Sequence, residues 1–182
     1  MPDCAASDES LMQAAGRGDL QAFEEIVHRH QAWAWRVAYR FLGHEEDAAD
    51  VVQDAFLRLL DAASRYRPTA GFKTYLYQII SRLCLDRAKK KQPLYLREIP
   101  EIPDPSPDAG EAMVHNETAA AVRVALDALP PRQRMAVILK YYEGLSYADI
   151  AKAMGITVKA VERLLDRARK MLQTSLAHLK DD

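Results

Sequence analysis

The sequence has very few cysteines and no long hydrophobic run, and both absences exclude whole classes of protein. Cys4 and Cys84 are the only cysteines in 182 residues, too few for a disulfide framework or the usual zinc ligand sets. No apolar run approaches the ~20 residues of a membrane-spanning helix, and the N-terminal MPDCAASDES lacks the basic and apolar segments of a signal peptide. We therefore expect a cytoplasmic protein without membrane insertion.

Signs of catalysis are also missing. The chain has no phosphate-binding glycine loop, and no group of side chains indicates a nucleophile or a metal site. His28 and His30 are two residues apart, a spacing that directs them to different faces of a helix instead of to one ion. We expect no cofactor and no metal, and we expect a binding protein, not an enzyme.

The net charge of −1 hides four blocks of alternating sign. Residues 1–64 contain five Arg and no Lys against twelve acids, whereas residues 65–92 contain eight basic residues against the single acid Asp86. Residues 93–113 contain one basic residue against five acids, and residues 114–182 contain eleven against eight. Such blocks indicate a polyanion contacted at two separated places, with acidic surface left for other partners.

The most informative stretch runs from Leu145 to Leu172 and predicts a helix-turn-helix. Ser146 can cap a short helix, Gly155 can end it with a positive φ, and Thr157 can cap a second helix two residues later. The predicted apolar stripe of the second helix comprises Val158, Val161, Leu165, Ala168 and Leu172.

The other side of that second helix is charged. A recognition helix in a DNA major groove reads bases with its first residues and meets phosphates with later basic ones. A solvated face on a bundle helix is the alternative, but the two caps and the Gly turn favour DNA binding. The candidate DNA-binding residues are Lys159, Glu162, Arg163, Asp166, Arg167, Arg169 and Lys170.

Two helices of the N-terminal half carry opposite charge. In Gly43–Leu60 the outer positions are acidic over several turns, which suits docking to a basic protein partner, although acids near a helix start are common. Phe72–Lys91 ends in basic residues, and rings nearby could hold unstacked bases. We expect about half of these rings to be core residues instead. The rings are Tyr66, Phe72, Tyr75 and Tyr77.

A proline-rich, acidic segment divides the sequence into two predicted domains. Both are predicted to be helical, so we expect an all-α protein. The first domain is predicted at 1–92, the linker at 93–113, and the second domain with its C-terminal helix-turn-helix at 114–182. Five prolines and no helical periodicity make the linker extended and flexible. In the second domain we expect helices at 115–128 and 132–142, the latter with Met135, Ile138, Leu139 and Tyr142 inside.

The order of these motifs resembles a bacterial RNA polymerase sigma factor of the sigma-70 family, in the extracytoplasmic-function (ECF) group that keeps only the sigma2 and sigma4 domains. The resemblance covers about residues 10–175. Its motifs are D-A-A-D-V-V-Q-D-A-F at 47–56, F-K-T-Y-L-Y-Q-I-I at 72–80 followed by L-x-L-D at 83–86, L-P-P-R-Q-R at 129–134, G-L-S-Y-A-D-I-A at 144–151, G-I-T-V-K-A-V at 155–161 and R-A-R at 167–169.

The resemblance implies a protein that binds core RNA polymerase and directs promoter recognition, promoter melting and transcription initiation. The charged face of the second helix would read the −35 element, and an anti-sigma factor is a further expected partner. Polymerase would meet Asp47, Asp50, Gln53, Asp54 and Phe56. The −10 element would meet Tyr66, Phe72, Lys73, Tyr75, Gln78, Arg82, Lys89 and Lys90.

Some positions depart from the family pattern and keep two alternatives open. Tyr75 stands where Trp is usual, Arg82 where Asn is common, and Asp166 where His is frequent. Glu162 and Asp166 would repel phosphates, although an acid can accept a hydrogen bond from cytosine. A sigma mimic that binds only an anti-sigma factor would explain these acids. A conventional helix-turn-helix regulator would explain the second domain but not the first.

Overall fold

Helices form the regular secondary structure of the residues that the computed structural model describes, which are 6–67, 71–90 and 119–177. No strand occurs within these ranges, and the all-α prediction is confirmed. The predicted linker and Cys4 lie outside them. The helices are α1 (Asp8–Ala15), α2 (Leu20–Leu42), α3 (Glu45–Ala62), α4 (Phe72–Lys90), α5 (119–127), α6 (Pro131–Val137), α7 (Tyr147–Met154) and α8 (Val158–Ser175).

Capping residues set several helix boundaries where the sequence predicted them. The Asp19 carboxylate accepts a hydrogen bond from the Ala22 amide at 3.1 Å and begins α2. Gly43 ends the same helix in the left-handed conformation with φ of 74°, which a residue with a Cβ adopts at a cost. Of the helices described, none is both long enough and apolar enough to cross a membrane.

The first domain packs α1, α3 and α4 around α2. Its core lies where the apolar faces of these helices meet, and it includes Met12, Ile26, Phe41, Leu59 and Leu76, each almost fully buried. Cys84 is buried in the same core, as its position beside the apolar row of α4 predicted. Burial disfavours the thiolate and raises the pKa of Cys84 to about 12.

In the second domain, a π-helical turn at Ile138–Tyr142 follows α6 directly. A π turn contains an extra residue, so it changes which side chains face inward. Ile138 and Leu139 are buried as expected, but Tyr142 is 46% exposed. The prediction that Tyr142 lies inside the domain is therefore wrong. Its ring instead lies beneath the Arg40 guanidinium, with 4.9 Å from the guanidinium carbon to the ring centroid.

The two domains contact each other directly. Helices α6 and α7 of the second domain both pack against α4 of the first. Buried side chains from the two domains form one continuous apolar cluster, in which Leu76 and Ile80 belong to the first domain and Met135 and Ile150 to the second. The proline-rich linker predicted two domains in sequence, but nothing in the sequence indicated that they pack together.

Candidate nucleic-acid interface

The helix-turn-helix forms as the sequence predicted. Ser146 accepts a hydrogen bond from the Asp149 amide at 3.1 Å and caps α7. Gly155 ends α7 with φ of 63°, and Thr157 then caps α8 by accepting from the Ala160 amide at 3.2 Å. These local bonds hold α8 at a fixed angle to α7, and α8 also packs on α6.

The charged face of α8 is fully available to a partner. Behind it, Val161, Leu165 and Ala168 are buried. Val158 is 42% exposed, so its predicted place in the core stripe is wrong. It is the first residue of α8 and lies at the free end of the helix, not in the packed middle. The residues predicted to bind DNA are all exposed: Lys159, Glu162, Arg163, Asp166, Arg167, Arg169 and Lys170.

One of the two acids on this face has a basic neighbour. Asp166 forms an ion pair with Arg169, with 3.3 Å between the guanidinium nitrogen and the carboxylate oxygen. Both side chains remain at least half exposed, so the pair contributes little to stability. It does partly offset the negative charge that Asp166 would present to a phosphate. Glu162 is exposed as well, at the second turn of the helix.

Helix α4 presents a second charged face. Its predicted polar contacts are all exposed, and Gln78, Arg82 and Lys89 share one side of the helix; Lys73 and Lys90 are exposed near its two ends. Tyr75 is partly exposed and is the one ring of the predicted four that is not buried. Its ring centroid lies 5.6 Å from that of Tyr66.

Tyr66 and Phe72 occupy structural positions. Both are buried, Phe72 with only 2% of its surface exposed. The Phe72 amide donates a hydrogen bond to the Glu9 carboxylate of α1 at 3.1 Å. The centroids of the Phe72 and His30 rings are 5.0 Å apart. Tyr77 is buried too. More of the rings are core residues than the half that we expected, because α1 and α2 cover the start of α4.

The acidic side of α3 is exposed at Asp50, Gln53 and Asp54. Asp47 is only 8% exposed, so the prediction that it belongs to the outer acidic surface is wrong. Arg87 of α4 explains this, because one guanidinium nitrogen lies 2.8 Å from Asp47 and 2.8 Å from Asp50. The pKa of Arg87 is raised, first by its hydrogen bond to Asp50 and then by that to Asp47, while burial opposes them.

An apolar groove adjoins this acidic surface and was not predicted from the sequence. It lies between α2 and α3, with a volume of about 550 Å³. Phe56 forms part of its floor and is buried, whereas Leu57 is 54% exposed. The sequence held one signal, since Leu57 lies off the apolar face of α3. The lining includes Phe23, Val27, Trp35, Val52, Phe56 and Leu57.

A second apolar groove, of about 400 Å³, lies in the second domain beside α8. Tyr141 is largely exposed at its edge, because the π turn carries this residue outward. Arg169 borders the groove, and its pKa is raised chiefly by a hydrogen bond with Tyr141. The apolar lining includes Val122, Leu126, Val137, Leu165, Leu172 and Leu176.

The described residues contain no group of three His, Cys, Asp or Glu side chains placed to hold a metal ion. The surfaces described above are two basic faces, one acidic face and two apolar grooves. Such surfaces bind macromolecules, since they offer charge and apolar area spread over helices and not a pocket that encloses a small molecule.

Comparisons with known proteins agree with this description. Residues 26–93 match the family described as Sigma-70 region 2, and residues 119–172 match Sigma-70, region 4. The chain is 32% identical to the ECF RNA polymerase sigma factor SigE of Mycolicibacterium smegmatis, over 97% of this chain and 70% of that protein. It is 34% identical to the ECF RNA polymerase sigma factor SigM of Mycobacterium tuberculosis, over 95% of this chain and 86% of that one.

Among solved structures, the fold is similar to that of CnrH in its complex with the cytosolic domain of CnrY. The TM-score is 0.71 at 26% identity, covering 95% of this chain and 99% of CnrH. It is also similar in fold to the sigma factor RpoE bound to the anti-sigma factor NepR, from Bartonella quintana. There the TM-score is 0.68 at 20% identity, covering 85% of this chain and 96% of RpoE.

Proposed function

The chain belongs to the ECF group of RNA polymerase sigma factors in the sigma-70 family, and from this premise we propose which of its residues meet DNA and which meet polymerase. As a sigma factor it binds RNA polymerase and directs transcription from promoters. The observation that carries the proposal is the combination of two exposed basic faces, on α4 and α8, with an exposed acidic face on α3.

The face of α8 reads the −35 element as duplex DNA. Lys159 lies in the first turn of the helix, where side chains of a recognition helix reach base edges. Arg163, Arg167, Arg169 and Lys170 follow and meet phosphates, which supply most of the salt-dependent affinity. Glu162 can accept a hydrogen bond from the exocyclic amine of cytosine. Asp166 acts indirectly, by holding the Arg169 side chain.

The face of α4 meets the −10 element. Tyr75 offers a ring on which an unstacked base can rest, and Gln78 and Arg82 lie on the same exposed row. Lys73, Lys89 and Lys90 supply charge for the backbone. Tyr66 and Phe72 act as positioning residues, because Tyr66 packs against the Tyr75 ring and Phe72 fixes the first turn of α4.

Polymerase docks on α3 and the groove beside it. Asp50, Gln53 and Asp54 present acceptors to a basic surface, and the adjoining groove accepts apolar side chains from the same partner. Asp47 contributes from beneath, since it shares Arg87 with Asp50 and orients that carboxylate. Phe56 contributes as part of the groove floor.

We also propose an anti-sigma partner for this chain, acting in the cytoplasm where polymerase and promoters are found. CnrH, at 26% identity, was solved in complex with the cytosolic domain of CnrY. An amphipathic segment could cover the groove between α2 and α3 and so compete with polymerase for one surface. The chain would act by binding, with the polymerase supplying the chemistry.

Transcription in vitro tests the proposal. Purified core polymerase is incubated with genomic DNA fragments, with and without this protein, and start sites are mapped. We expect new start sites that share two upstream elements. Stable core binding without new starts would favour the sigma mimic, and no core binding would leave a conventional DNA-binding regulator.

A charge reversal tests the polymerase surface in the same assay. Asp54→Lys should weaken core binding, because it places a positive charge on the acidic face. Asp61→Lys is the matched control, since Asp61 is an exposed acid nearer the C-terminal end of α3. Core binding by Asp54→Lys as tight as that of the unchanged protein would remove Asp54 from the polymerase interface.

A further inference from the structure

Glu143 joins the two domains through a carboxylate that is only 7% exposed. It accepts hydrogen bonds from the Trp33 indole nitrogen at 2.8 Å, the Tyr77 hydroxyl at 2.9 Å and an Arg40 guanidinium nitrogen at 3.1 Å. Glu143 belongs to the second domain, whereas all three donors belong to α2 and α4 of the first. A carboxylate with three donors, one of them charged, is a strong polar contact when water is excluded.

Further contacts surround this carboxylate and cross the same interface. An Arg134 guanidinium nitrogen donates to the Phe41 carbonyl at 3.0 Å, near the C-terminal end of α2. The Trp33 and Tyr77 rings meet edge to face with centroids 4.5 Å apart, which fixes both donors. The pKa of Tyr77 is raised, mainly by burial and next by the negative charge of Glu143, so its hydroxyl remains a donor.

The packed arrangement brings the two proposed DNA-reading helices close together. Helix α7 packs on both α4 and α8, and packed helix axes lie 8–10 Å apart, which places the axes of α4 and α8 within roughly 20 Å. The −10 and −35 elements are about 25 base pairs apart, or roughly 85 Å of duplex at about 3.4 Å per base pair. The closed protein cannot contact both elements.

We propose that Glu143 is an interdomain latch that holds the free protein closed and must be released before both promoter elements are bound. This inference rests on the proposed function, because only a reader of two separated elements needs to open. Glu143 is followed by Gly144, with φ of 69°, and by the Ser146 cap of the helix-turn-helix. Glu143 therefore acts together with the apolar cluster in holding the helix-turn-helix against the first domain, and the internal caps of the helix-turn-helix do not depend on it.

A latch of this kind lowers the apparent affinity for polymerase and promoter. The apparent dissociation constant equals the intrinsic one divided by the fraction of open protein, so a protein that is about 90% closed binds about ten times more weakly. Removing the latch should therefore raise apparent affinity by up to ~10-fold without changing any residue that meets DNA or polymerase.

The test uses the full chain in solution, without polymerase, and three substitutions. Glu143→Ala removes the carboxylate, and Tyr77→Phe removes one donor while keeping the ring and the core packing. Asp61→Asn is the control, because it removes one exposed negative charge far along α3 from any interdomain contact described above. Small-angle scattering measures the radius of gyration. Circular dichroism checks that all three variants remain helical.

A local probe reports on the same contact. In a Trp35→Phe background, Trp33 is the only tryptophan, and acrylamide quenching measures its exposure. We expect a larger radius and stronger quenching for Glu143→Ala, a smaller change for Tyr77→Phe, and none for Asp61→Asn. With Trp35 unchanged, because it lines the proposed polymerase groove, core binding should tighten in the same order.

Several results would overturn the latch. One is an unchanged radius in Glu143→Ala, and another is a wild-type protein that is already extended. The proposed function can fail separately from the latch. If the variants open but no form of the protein directs transcription, the latch is supported and the assignment of these surfaces to a sigma factor is wrong.

Discussion

At the scale of single residues, the hydrogen bonds of the helix caps and those of Asp47 differ in how far apart their partners lie along the chain. The caps at Asp19, Ser146 and Thr157 depend on neighbours within three residues, so the sequence contains the whole interaction. Asp47 is different. Its position in an acidic helix predicted exposure, but its partner Arg87 lies forty residues away, on another helix. An acid with a distant basic partner looks, in sequence, like any other acid.

Buried titratable groups lead to a prediction about alkaline pH. The pKa of Cys84 is raised from 9.0 to about 12 because burial disfavours the thiolate. The folded protein therefore holds this proton more tightly than the unfolded chain. The stabilisation is complete below pH 9 and is lost as the pH rises toward 12. We expect the free energy of unfolding to fall by about 1–2 kcal/mol between pH 8 and 10.5.

Urea denaturation at a series of pH values measures this effect. In Cys84→Ala, the free energy of unfolding should fall less between pH 8 and 10.5. This holds even if the substitution lowers the stability at every pH. Tyr77→Phe should affect only the region above pH 10, where its raised pKa begins to matter. A profile that keeps its slope in Cys84→Ala would contradict the assignment to this thiol.

At the scale of elements, helix existence followed from periodicity, but helix faces required the neighbours. The stripe on α8 was predicted with the correct spacing, yet only its middle residues are covered, and Val158 is exposed. The π turn after α6 moved Tyr142 outward for a similar reason, because periodicity assumes a regular helix. A sequence pattern indicates which residues could share a face, and packing decides how much of that face is buried.

Gly16 gives a testable case of packing between elements. It ends α1 with φ of −64°, a conformation that any residue adopts. A Cβ at this position would collide with the carbonyl oxygen of Ala63, in the turn that follows α3. Because a backbone atom must move, Gly16→Ala should destabilise the protein by about 1–3 kcal/mol.

Gly71→Ala is the matched control. Gly71 is exposed, its φ is not positive, and an added Cβ would meet nothing within 4 Å. The same substitution should cost less there, because no backbone atom has to move and the only expected cost is the preference for glycine over alanine at the N-cap of α4. Thermal or urea denaturation compares the two. If Gly16→Ala and Gly71→Ala had the same free energy of unfolding, the end of α1 could move away from the Ala63 backbone without loss of stability.

At the scale of the whole molecule, charge is distributed in blocks that become separate faces. Four basic residues of the block at 65–92 are exposed on α4, namely Lys73, Arg82, Lys89 and Lys90, and several basic residues of the C-terminal part are exposed on α8. The sequence predicted contact with one polyanion at two places. The structure adds that both faces belong to one closed molecule, and we propose that it opens to use them together.

The phosphate contacts assigned to α8 should appear in the salt dependence of promoter binding by the holoenzyme. Removing two charges with Arg167→Ala and Lys170→Ala should reduce the slope of log affinity against log salt by about 2. Arg17→Ala with Arg36→Ala removes the same charge from exposed positions outside both DNA-reading faces. An equal loss of slope in the two double variants would refute the assignment of α8.

By itself, the sequence determined the helical class, the helix-turn-helix, the capping residues and the family of this protein, since each depends on residue order and short-range bonding. Only the tertiary structure decided which acids and rings are buried, where the apolar grooves lie, and that Glu143 meets Trp33, Arg40 and Tyr77. Those features join residues up to 110 positions apart. Contacts at that separation depend on how whole helices pack, which no local pattern contains.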